Sequence, residues 1–321
     1  MHKHQKILAA VTLSFFSVVA AAQDYPTKPI SLIVPFSPGG TNDIVGRLVA
    51  KDMSTTLKQS IVPENRPGAS GTIGANYVAK APNDGYTLLV TDLSFAMAPG
   101  LYKHLPFDPV KDFSHITTVA SVPFVMVVNL GVKASTVKEF VALSKAAPGS
   151  INYGSAGRGT NTHLGGELFR LKTGADLTHI PYKGASAAMQ DLLGGRIQVI
   201  FTALPTALNF IQSGKVRALM VTGDKRVPML PNVPTAREAG VPDMALKFWV
   251  GIAAPANTPP AVVEKLNKSV LAGLADPEAK KTFADIGMDV IGDNPAQATK
   301  FVETEVNNWR QVMKAANITA E

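Results

Sequence analysis

The chain has 321 residues, of which 46% are apolar and 17% charged. This is a globular composition in a chain long enough for two domains. The absence of cysteine excludes disulfides, thiolate chemistry and Cys-ligated zinc or iron–sulfur sites. The formal charge of +7 comes from scattered bases without interleaved aromatic residues, which argues against nucleic-acid binding and favours mild steering of small anions.

The first 22 residues have the pattern of a secretory signal peptide. Lys3 and Lys6 precede an apolar run from Ile7 to Ala20, and small residues lead up to the Ala22-Gln23 bond. The alternative is an uncleaved anchor, but the run is too short for a membrane span and small residues follow it at once. We therefore predict cleavage near Ala22-Gln23 and export. A large exported chain without disulfides fits a bacterial periplasm.

The body of the chain alternates between short apolar runs and helical patterns. A helix is predicted from about Asp43 to Leu57, and Thr136-x-x-Glu139 is a capping box that opens another. The predicted strands are Ile30–Val34, Tyr86–Val90, Phe124–Leu130, Ile197–Phe201 and Val216–Val221. This alternation predicts an α/β fold with largely parallel sheets.

The last third of the chain carries three helix starts of one type, an N-cap residue followed by proline. They are Thr258-Pro259, Asp276-Pro277 and Asn294-Pro295. Proline suits the first helical position because the N–H that it lacks has no intrahelical partner there. We interpret these helices as scaffold.

Two glycine turns share one short motif. "PFSPGGTNDIVGR" contains Gly40-Thr41-Asn42, and "NYGSAGRGTNTHLGGELF" contains Gly159-Thr160-Asn161. Each turn places bare backbone and hydroxyls at a helix N-terminus, where free N–H groups and the helix dipole favour an anion. Either turn alone is equally typical of a well-capped helix. Two of them, one in each half, favour a site in which both contact one small anion.

Other patterns are weaker. A phosphate-binding G-x-x-x-x-G-K-[ST] loop is absent, and Tyr153 breaks the G-x-S-x-G nucleophile pattern before Ser155. His163 and Glu167 lie four apart on one helix face, but no third metal ligand has a suitable spacing. We therefore expect neither metal nor cofactor. Tyr182-Lys183 is either an anion contact or a turn, and Trp249 is either core or a cavity wall.

Several stretches together resemble the Bug family, the extracytoplasmic solute receptors of tripartite tricarboxylate transporters. From about Tyr25 onwards they are "YPTKPISLIVPFSPGGTNDIVGRLV", "VPENRPGASGTIGANYVAKAPNDGYTLL", "LPFDPVKDF", "INYGSAGRGTNTHLGGELF", "IPYKGASAAMQDLLGGRIQVIF" and "APANTPPAVVEKLN". The resemblance implies an α/β fold of the type II periplasmic-binding-protein kind, with two lobes joined by crossover hinge strands near Ser121–Val127 and Phe248–Ala254. Lobe 1 would comprise residues 23–124 and 248–321, and lobe 2 residues 125–247.

The resemblance also implies a carboxylate held between loops of the two lobes. In lobe 1 the implied ligand-binding residues are Phe36, Ser37, Gly40, Thr41, Asn42, Asp92, Leu93 and Ser94. In lobe 2 and at the hinge they are Ser155, Gly157, Thr160, His163, Tyr182, Lys183, Phe201, Ala203 and Trp249. One departure is that many members have Gly-Gly-Gly-Thr-Asp where this chain has Gly-Gly-Thr-Asn-Asp. The departure therefore leaves undecided which hydroxyl donates to the ligand, whereas the main-chain donors are unaffected.

Our first hypothesis is a monomeric periplasmic receptor that delivers a small carboxylate to the membrane permease subunits of a tripartite tricarboxylate transporter. An exported two-lobed enzyme acting on an anionic substrate is the second, with Ser155 and His163 as the one pair to consider. A receptor that signals to a partner protein is the third. Amino acids, hydroxy acids, tricarboxylates and aromatic acids all remain open as ligands.

Overall fold

The structure is a computed structural model that describes residues 25–242, 244 and 246–316, with side chains to residue 314. The predicted signal peptide lies outside the described residues. The strands are β1 (Ile30–Val34), β2 (Ile61–Asn65), β3 (Thr87–Asp92), β4 (Phe113–Asn129), β5 (Asn152–Ser155), β6 (Thr178–Pro181), β7 (Val199–Ala203), β8 (Val216–Val221), β9 (Lys247–Pro255) and β10 (Asp289–Val290). The helices are α1 (Thr41–Leu57), α2 (Thr72–Ala79), α3 (Leu93–Leu101), α4 (Val137–Ala146), α5 (Asn161–Thr173), α6 (Ala185–Leu193), α7 (Leu204–Gln212), α8 (Pro260–Ala275), α9 (Pro277–Asp285) and α10 (Pro295–Ala316), with a 3-10 turn at Ala69–Gly71.

The strands form one sheet path in the order β2-β1-β3-β9-β4-β7-β5-β6, with β8 and β10 also paired to β4. We call the strands on the β2 side of β4, together with β10, the first half, and those on the β6 side, together with β8, the second half. Pairing is parallel among β2, β1 and β3 and among β6, β5 and β7. The α/β prediction is confirmed, but the sheet is mixed, because β4 and β9 run antiparallel to their neighbours.

The long strand β4 belongs to both halves. Its residues from Phe113 to Pro123 pair with β9, whereas those from Phe124 to Asn129 pair with β7 and β8. Pro123 lies opposite Lys247, the first residue of β9. The predicted hinge segments near Ser121–Val127 and Phe248–Ala254 lie in β4, which pairs with both halves, and in β9, which pairs with β3 and β4.

Local capping signals decide where several helices begin. Thr136 and Glu139 form the predicted reciprocal capping box of α4. Asp276 caps α9. At the start of α10, the side-chain oxygen of Asn294 accepts from Gln297 N, and that of Gln297 accepts from Asn294 N. The start predicted at Thr258-Pro259 is one residue early, because Pro259 is the N-cap and Pro260 the first residue of α8. Among the described residues, no helix has the length and apolar character needed to cross a bilayer.

Close packing of α5 on the second half sets the direction of that helix. Gly165 faces the Phe201 side chain of β7, and Gly166 faces the Tyr153 ring of β5. A Cβ at Gly166 would lie 2.3 Å from the Tyr153 ring, closer than carbon atoms pack. The "GG" in the middle of α5 therefore lets its N-terminus reach the edge of the sheet where β5 and β7 end.

Candidate functional site

The two Gly-Thr-Asn turns meet at one buried carboxylate. Asn42, in the first turn of α1, donates its side-chain Nδ2–H to Asp92 Oδ2 over 3.1 Å. Asn161, at the start of α5, donates its own Nδ2–H to the same oxygen over 3.1 Å. The repeated motif therefore places two equivalent amides, one from each half, on a single acceptor at the C-terminal end of β3.

Asp92 is itself a helix cap. Its Oδ1 accepts from Phe95 N over 3.1 Å at the start of α3. Burial raises the pKa of Asp92 from 3.8 to about 6, although hydrogen bonds from Asn42, Phe95, Ser94 and Asn161 act in the opposite direction. The carboxylate therefore carries its charge at neutral pH only because several donors surround it.

This pKa predicts a pH dependence of stability. Because the folded pKa is above the unfolded one, the folded state binds the proton more tightly, and the contribution of Asp92 to stability grows as the pH falls through about 6. We expect the stability of the wild type relative to Asp92→Asn, whose amide does not titrate, to rise by about 2 kcal/mol between about pH 7 and about pH 4.5. Urea unfolding at both pH values measures it, and a constant difference contradicts it.

A cavity of about 30 Å³ lies between the two turns, and we call it the inner cavity. Its lining is Phe36, Ser37, Gly40, Thr41, Asn42, Asp92, Ser94, Ala156, Asn161, Thr162, Ala185, Thr202, Ala203, Thr206 and Phe248. Asp92 is the one charged side chain among these described residues. The polar lining consists mainly of hydroxyls and amides.

Hydrogen bonds between the halves surround the inner cavity. Thr41 N donates to Thr206 Oγ1 over 3.1 Å, and the two hydroxyls lie 2.9 Å apart. Asn161 N donates to Ser94 Oγ over 3.0 Å. The structure is therefore a closed form, and it differs from the expectation that these two main-chain N–H groups are free for an anion.

The loops nearer to solvent are bonded in the same way. Ser37 Oγ donates to Lys183 O over 2.9 Å, and Ser186 Oγ donates to Pro38 O over 2.7 Å. These bonds join the loop after β1 to the loop after β6 and to the first turn of α6. Together with Thr41–Thr206 and Asn161–Ser94, they make four residue pairs that join the halves without a charged side chain.

A second space, which we call the outer groove, adjoins the inner cavity and measures about 300 Å³. Its lining is Phe36, Gly68, Ala69, Ser70, Gly71, Tyr102, Ala156, Gly157, Arg158, Pro181, Tyr182 and Lys183. Tyr102 OH donates to Arg158 O over 3.3 Å, and Ser70 Oγ also donates to that carbonyl. The outer groove thus holds the basic side chains that the inner cavity lacks.

Eight of the expected ligand-binding residues line the inner cavity. They are Phe36, Ser37, Gly40, Thr41, Asn42, Asp92, Ser94 and Ala203. Three more, Gly157, Tyr182 and Lys183, line the outer groove instead. There the Tyr182 hydroxyl donates to Asp191 Oδ2 over 2.8 Å, so its proton is already engaged.

Three expected residues make hydrogen bonds within the glycine turn that precedes α5. Thr160 Oγ1 donates to Gly157 O over 2.7 Å and caps α5. His163 Nδ1 accepts from Gly159 N over 3.1 Å. Ser155 Oγ lies 3.0 Å from Gly157 O. Their polar atoms hold the loop, and none of the three lines the inner cavity.

The Ser155–His163 pair required by the enzyme hypothesis does not form. Ser155 Oγ lies 2.6 Å from Nε2 of His179, and His163 stacks on the His179 ring at 4.1 Å. Burial lowers the pKa of His179 to about 3, and His179 Nδ1 has no partner in the described part of the chain. No acid therefore orients His179 as a general base.

The remaining three expected residues face away from the cleft. Trp249 Nε1 donates to Glu305 Oε2 over 3.0 Å on the α10 side of β9, and its neighbour Phe248 lines the inner cavity. Phe201 packs on Phe169 of α5, whereas the next residue, Thr202, lines the cavity. Leu93, the first residue of α3, is fully buried in the hydrophobic core. Successive strand residues alternate between faces, so an error of one position reverses the assignment.

Seven residues that line the inner cavity were not among the predicted ligand-binding residues. They are Ala156, Asn161, Thr162, Ala185, Thr202, Thr206 and Phe248. Asn161 had a usable signal, since it matches Asn42 in the repeated motif. Thr206 had none, because only the tertiary fold brings α7 to α1. Within the described residues, no group of three or more His, Asp or Glu side chains is arranged to hold a metal ion.

Fold and site together define a solute-binding protein of the periplasmic-binding-protein type, with a polar cavity between two halves that share the long strand β4. The family model "Tripartite tricarboxylate transporter family receptor" matches residues 45–318. The chain belongs to this family, the TctC or Bug family of solute-binding receptors.

Individual relatives support the assignment along almost the whole chain. BugT of Bordetella pertussis is 36% identical over 296 residues, which is 92% of this chain and 91% of BugT. The structure of R. palustris Rpa4515 with adipate is 36% identical, has a TM-score of 0.89 and covers 92% of this chain and 99% of its own. MatC from Rhodopseudomonas palustris with bound malate is 31% identical, with a TM-score of 0.86 and coverage of 90% and 99%.

Proposed function

We propose that this protein is a periplasmic receptor that binds a small carboxylate in the inner cavity and delivers it to the membrane permease of a tripartite tricarboxylate transporter. The observation that carries the proposal is that α1 of the first half and α5 of the second half both begin at the inner cavity. Helix N-termini carry partial positive charge, which stabilises an anion where no basic side chain is present. The adipate and malate in the two relatives have the same chemistry.

The Asp92 charge does not prevent an anion from binding nearby. The carboxylate accepts from two side-chain amides and from backbone N–H groups, which disperse its charge. A ligand carboxylate at the helix ends is then held by dipoles and hydroxyls. The export signal and the family together support a periplasmic location, and we infer a monomer that acts as a carrier and leaves its ligand chemically unchanged.

Binding is expected to raise the melting temperature. At about one hundred times Kd, a bound acid stabilises the folded state by about 2.7 kcal/mol, which corresponds to a Tm rise of about 5 °C. The test is a thermal-shift screen of mono-, di- and tricarboxylates, each paired with its uncharged primary amide as a control. If no acid raises Tm, or if the amides act as well as the acids, the carboxylate proposal fails.

We further propose that lobe 1 (23–124 and 248–321) and lobe 2 (125–247) close on the ligand as units about β4 and β9. The chain has no cysteine, so a label pair at Tyr77→Cys and Leu171→Cys, both exposed, reports the distance between lobes without background. Any acid identified by the screen should shorten this distance by fluorescence energy transfer. A distance that ignores a bound acid contradicts the division.

A further inference from the structure

The side-chain amide of Asn42 has a hydrogen-bond partner at its nitrogen but none at its oxygen. Its Nδ2 donates to Asp92 Oδ2, and this contact fixes the orientation of the amide because a carboxylate accepts but does not donate. Its Oδ1 is buried and has no hydrogen-bond donor among the described residues. Asn42 is only 6% exposed and lines the inner cavity. A buried acceptor of this kind is costly unless a donor reaches it.

A second unpartnered polar atom lies in the other half. Thr202 is 1% exposed, lines the same cavity, and its Oγ1 has no partner in the described part of the chain. This hydroxyl can either donate or accept, whereas Asn42 Oδ1 can only accept. The other cavity hydroxyls differ, since Thr41 and Thr206 bond each other and Thr162 Oγ1 accepts from Ala156 N.

The charge of the lining also favours a hydrogen-bond donor on the ligand. Asp92 carries the negative charge next to Asn42, and no basic side chain of the described residues lines the inner cavity. A ligand carboxylate at the start of α1 would place its neighbouring carbon close to Asn42. A hydroxyl or ammonium on that carbon would supply the missing donor, whereas a methylene would leave Asn42 Oδ1 unpaired.

We propose that Asn42 Oδ1 recognises an O–H or N–H donor beside the ligand carboxylate, so that the receptor selects 2-hydroxy or 2-amino acids over the corresponding deoxy acids. This rests on the proposed carboxylate-binding function and specifies the class of its ligand. The selection principle is that a site with a buried polar group rejects an analogue that leaves the group unpaired.

The experiment compares ligands that differ only at one atom. Isothermal titration of the wild type uses three series of increasing length: propionate, lactate and alanine; succinate, malate and aspartate; glutarate, 2-hydroxyglutarate and glutamate. In the series that binds best, we expect the hydroxy or the amino acid to bind at least about five-fold more tightly than the deoxy acid. Either donor winning supports the proposal, and a larger gain for the ammonium assigns part of it to Asp92.

Two variants separate recognition by Asn42 from support of Asp92. Asn42→Ala and Asn161→Ala each remove one donor to Asp92 Oδ2, but only Asn42→Ala also removes the free acceptor. We expect the donor-to-deoxy affinity ratio to fall to about one in Asn42→Ala and to persist in Asn161→Ala, even where both bind more weakly.

Equal affinities of the three acids for the wild type overturn the proposal without any variant, so poor folding of Asn42→Ala does not protect it. An unchanged ratio in Asn42→Ala overturns it as well. If no acid of any series binds, the inference fails, and the proposed function fails with it only when the thermal-shift screen of mono-, di- and tricarboxylates is negative as well. If deoxy acids bind best, the proposed function stands and only the inference fails.

Discussion

Replacing Asp92 with alanine is expected to lower the free energy of unfolding by about 3 kcal/mol and to weaken ligand binding about ten-fold or more. The carboxylate is buried, and it is the shared acceptor for Asn42, Asn161 and the start of α3. Without it, two amides and a backbone N–H lose that acceptor in a buried site. Urea unfolding and titration with a bound acid measure the two effects.

Asp276→Ala is the matched control for this variant. Asp276 also caps a helix, accepting from Glu278 N and Ala279 N, but those bonds are exposed to solvent. Its replacement should therefore cost only about 1 kcal/mol, the usual value of an N-cap, and leave ligand binding unchanged. If Asp92→Ala costs no more than Asp276→Ala, the buried contacts to the two asparagines contribute little to stability.

Features that depend on adjacent residues could be predicted from the sequence. Capping boxes and glycine turns are encoded by a few adjacent residues. The helix starts predicted at Thr136, Asp276 and Asn294 therefore agree with the structure. Both Gly-Thr-Asn turns were recognised for the same reason. The interpretation of Thr160 as a ligand contact could not be decided locally, because an N-cap hydroxyl and a ligand-binding hydroxyl have the same sequence pattern.

Strand faces were the second limit. Phe248 and Trp249 lie in an apolar run that is buried on both faces of β9, so no alternation of polar and apolar residues indicates which side chain faces the cavity. Phe201 and Thr202 in β7 posed the same problem. Strand β2 was missed because Pro63 interrupts it, although proline is compatible with a strand at the edge of a sheet, where β2 lies.

Contacts between distant segments were the third limit. Thr206 meets Thr41 only because α7 follows β7, whose last residues lie at the cleft. The carboxylate of Asp92 accepts from both Asn42 and Asn161, and no local pattern in the sequence predicts that shared acceptor. The two turns were thus predictable one by one, whereas their joint attachment to β3 depends on tertiary structure.

The position of α5 leads to the second large effect. Gly166→Ala is expected to lower the free energy of unfolding by about 3 kcal/mol, the upper end of the usual cost of overpacking. The new Cβ would lie 2.3 Å from the Tyr153 ring. The ring is fully buried, its hydroxyl donates to Glu167 of the same helix, and it stacks on His179 at 4.8 Å. The ring has no free space to move into, so α5 must move instead.

A displaced α5 should also affect the ligand. Asn161 and Thr162 at its N-terminus line the inner cavity, so we expect binding to weaken several-fold in Gly166→Ala, in addition to the loss of stability. Gly194→Ala is the control in the same half. Gly194 has a helical φ of −76°, and its nearest new contact would be 3.5 Å, so stability should change by less than about 0.5 kcal/mol. Normal stability and affinity of Gly166→Ala would mean that α5 lies farther from β5 than described, and the inner cavity would then lack its second wall.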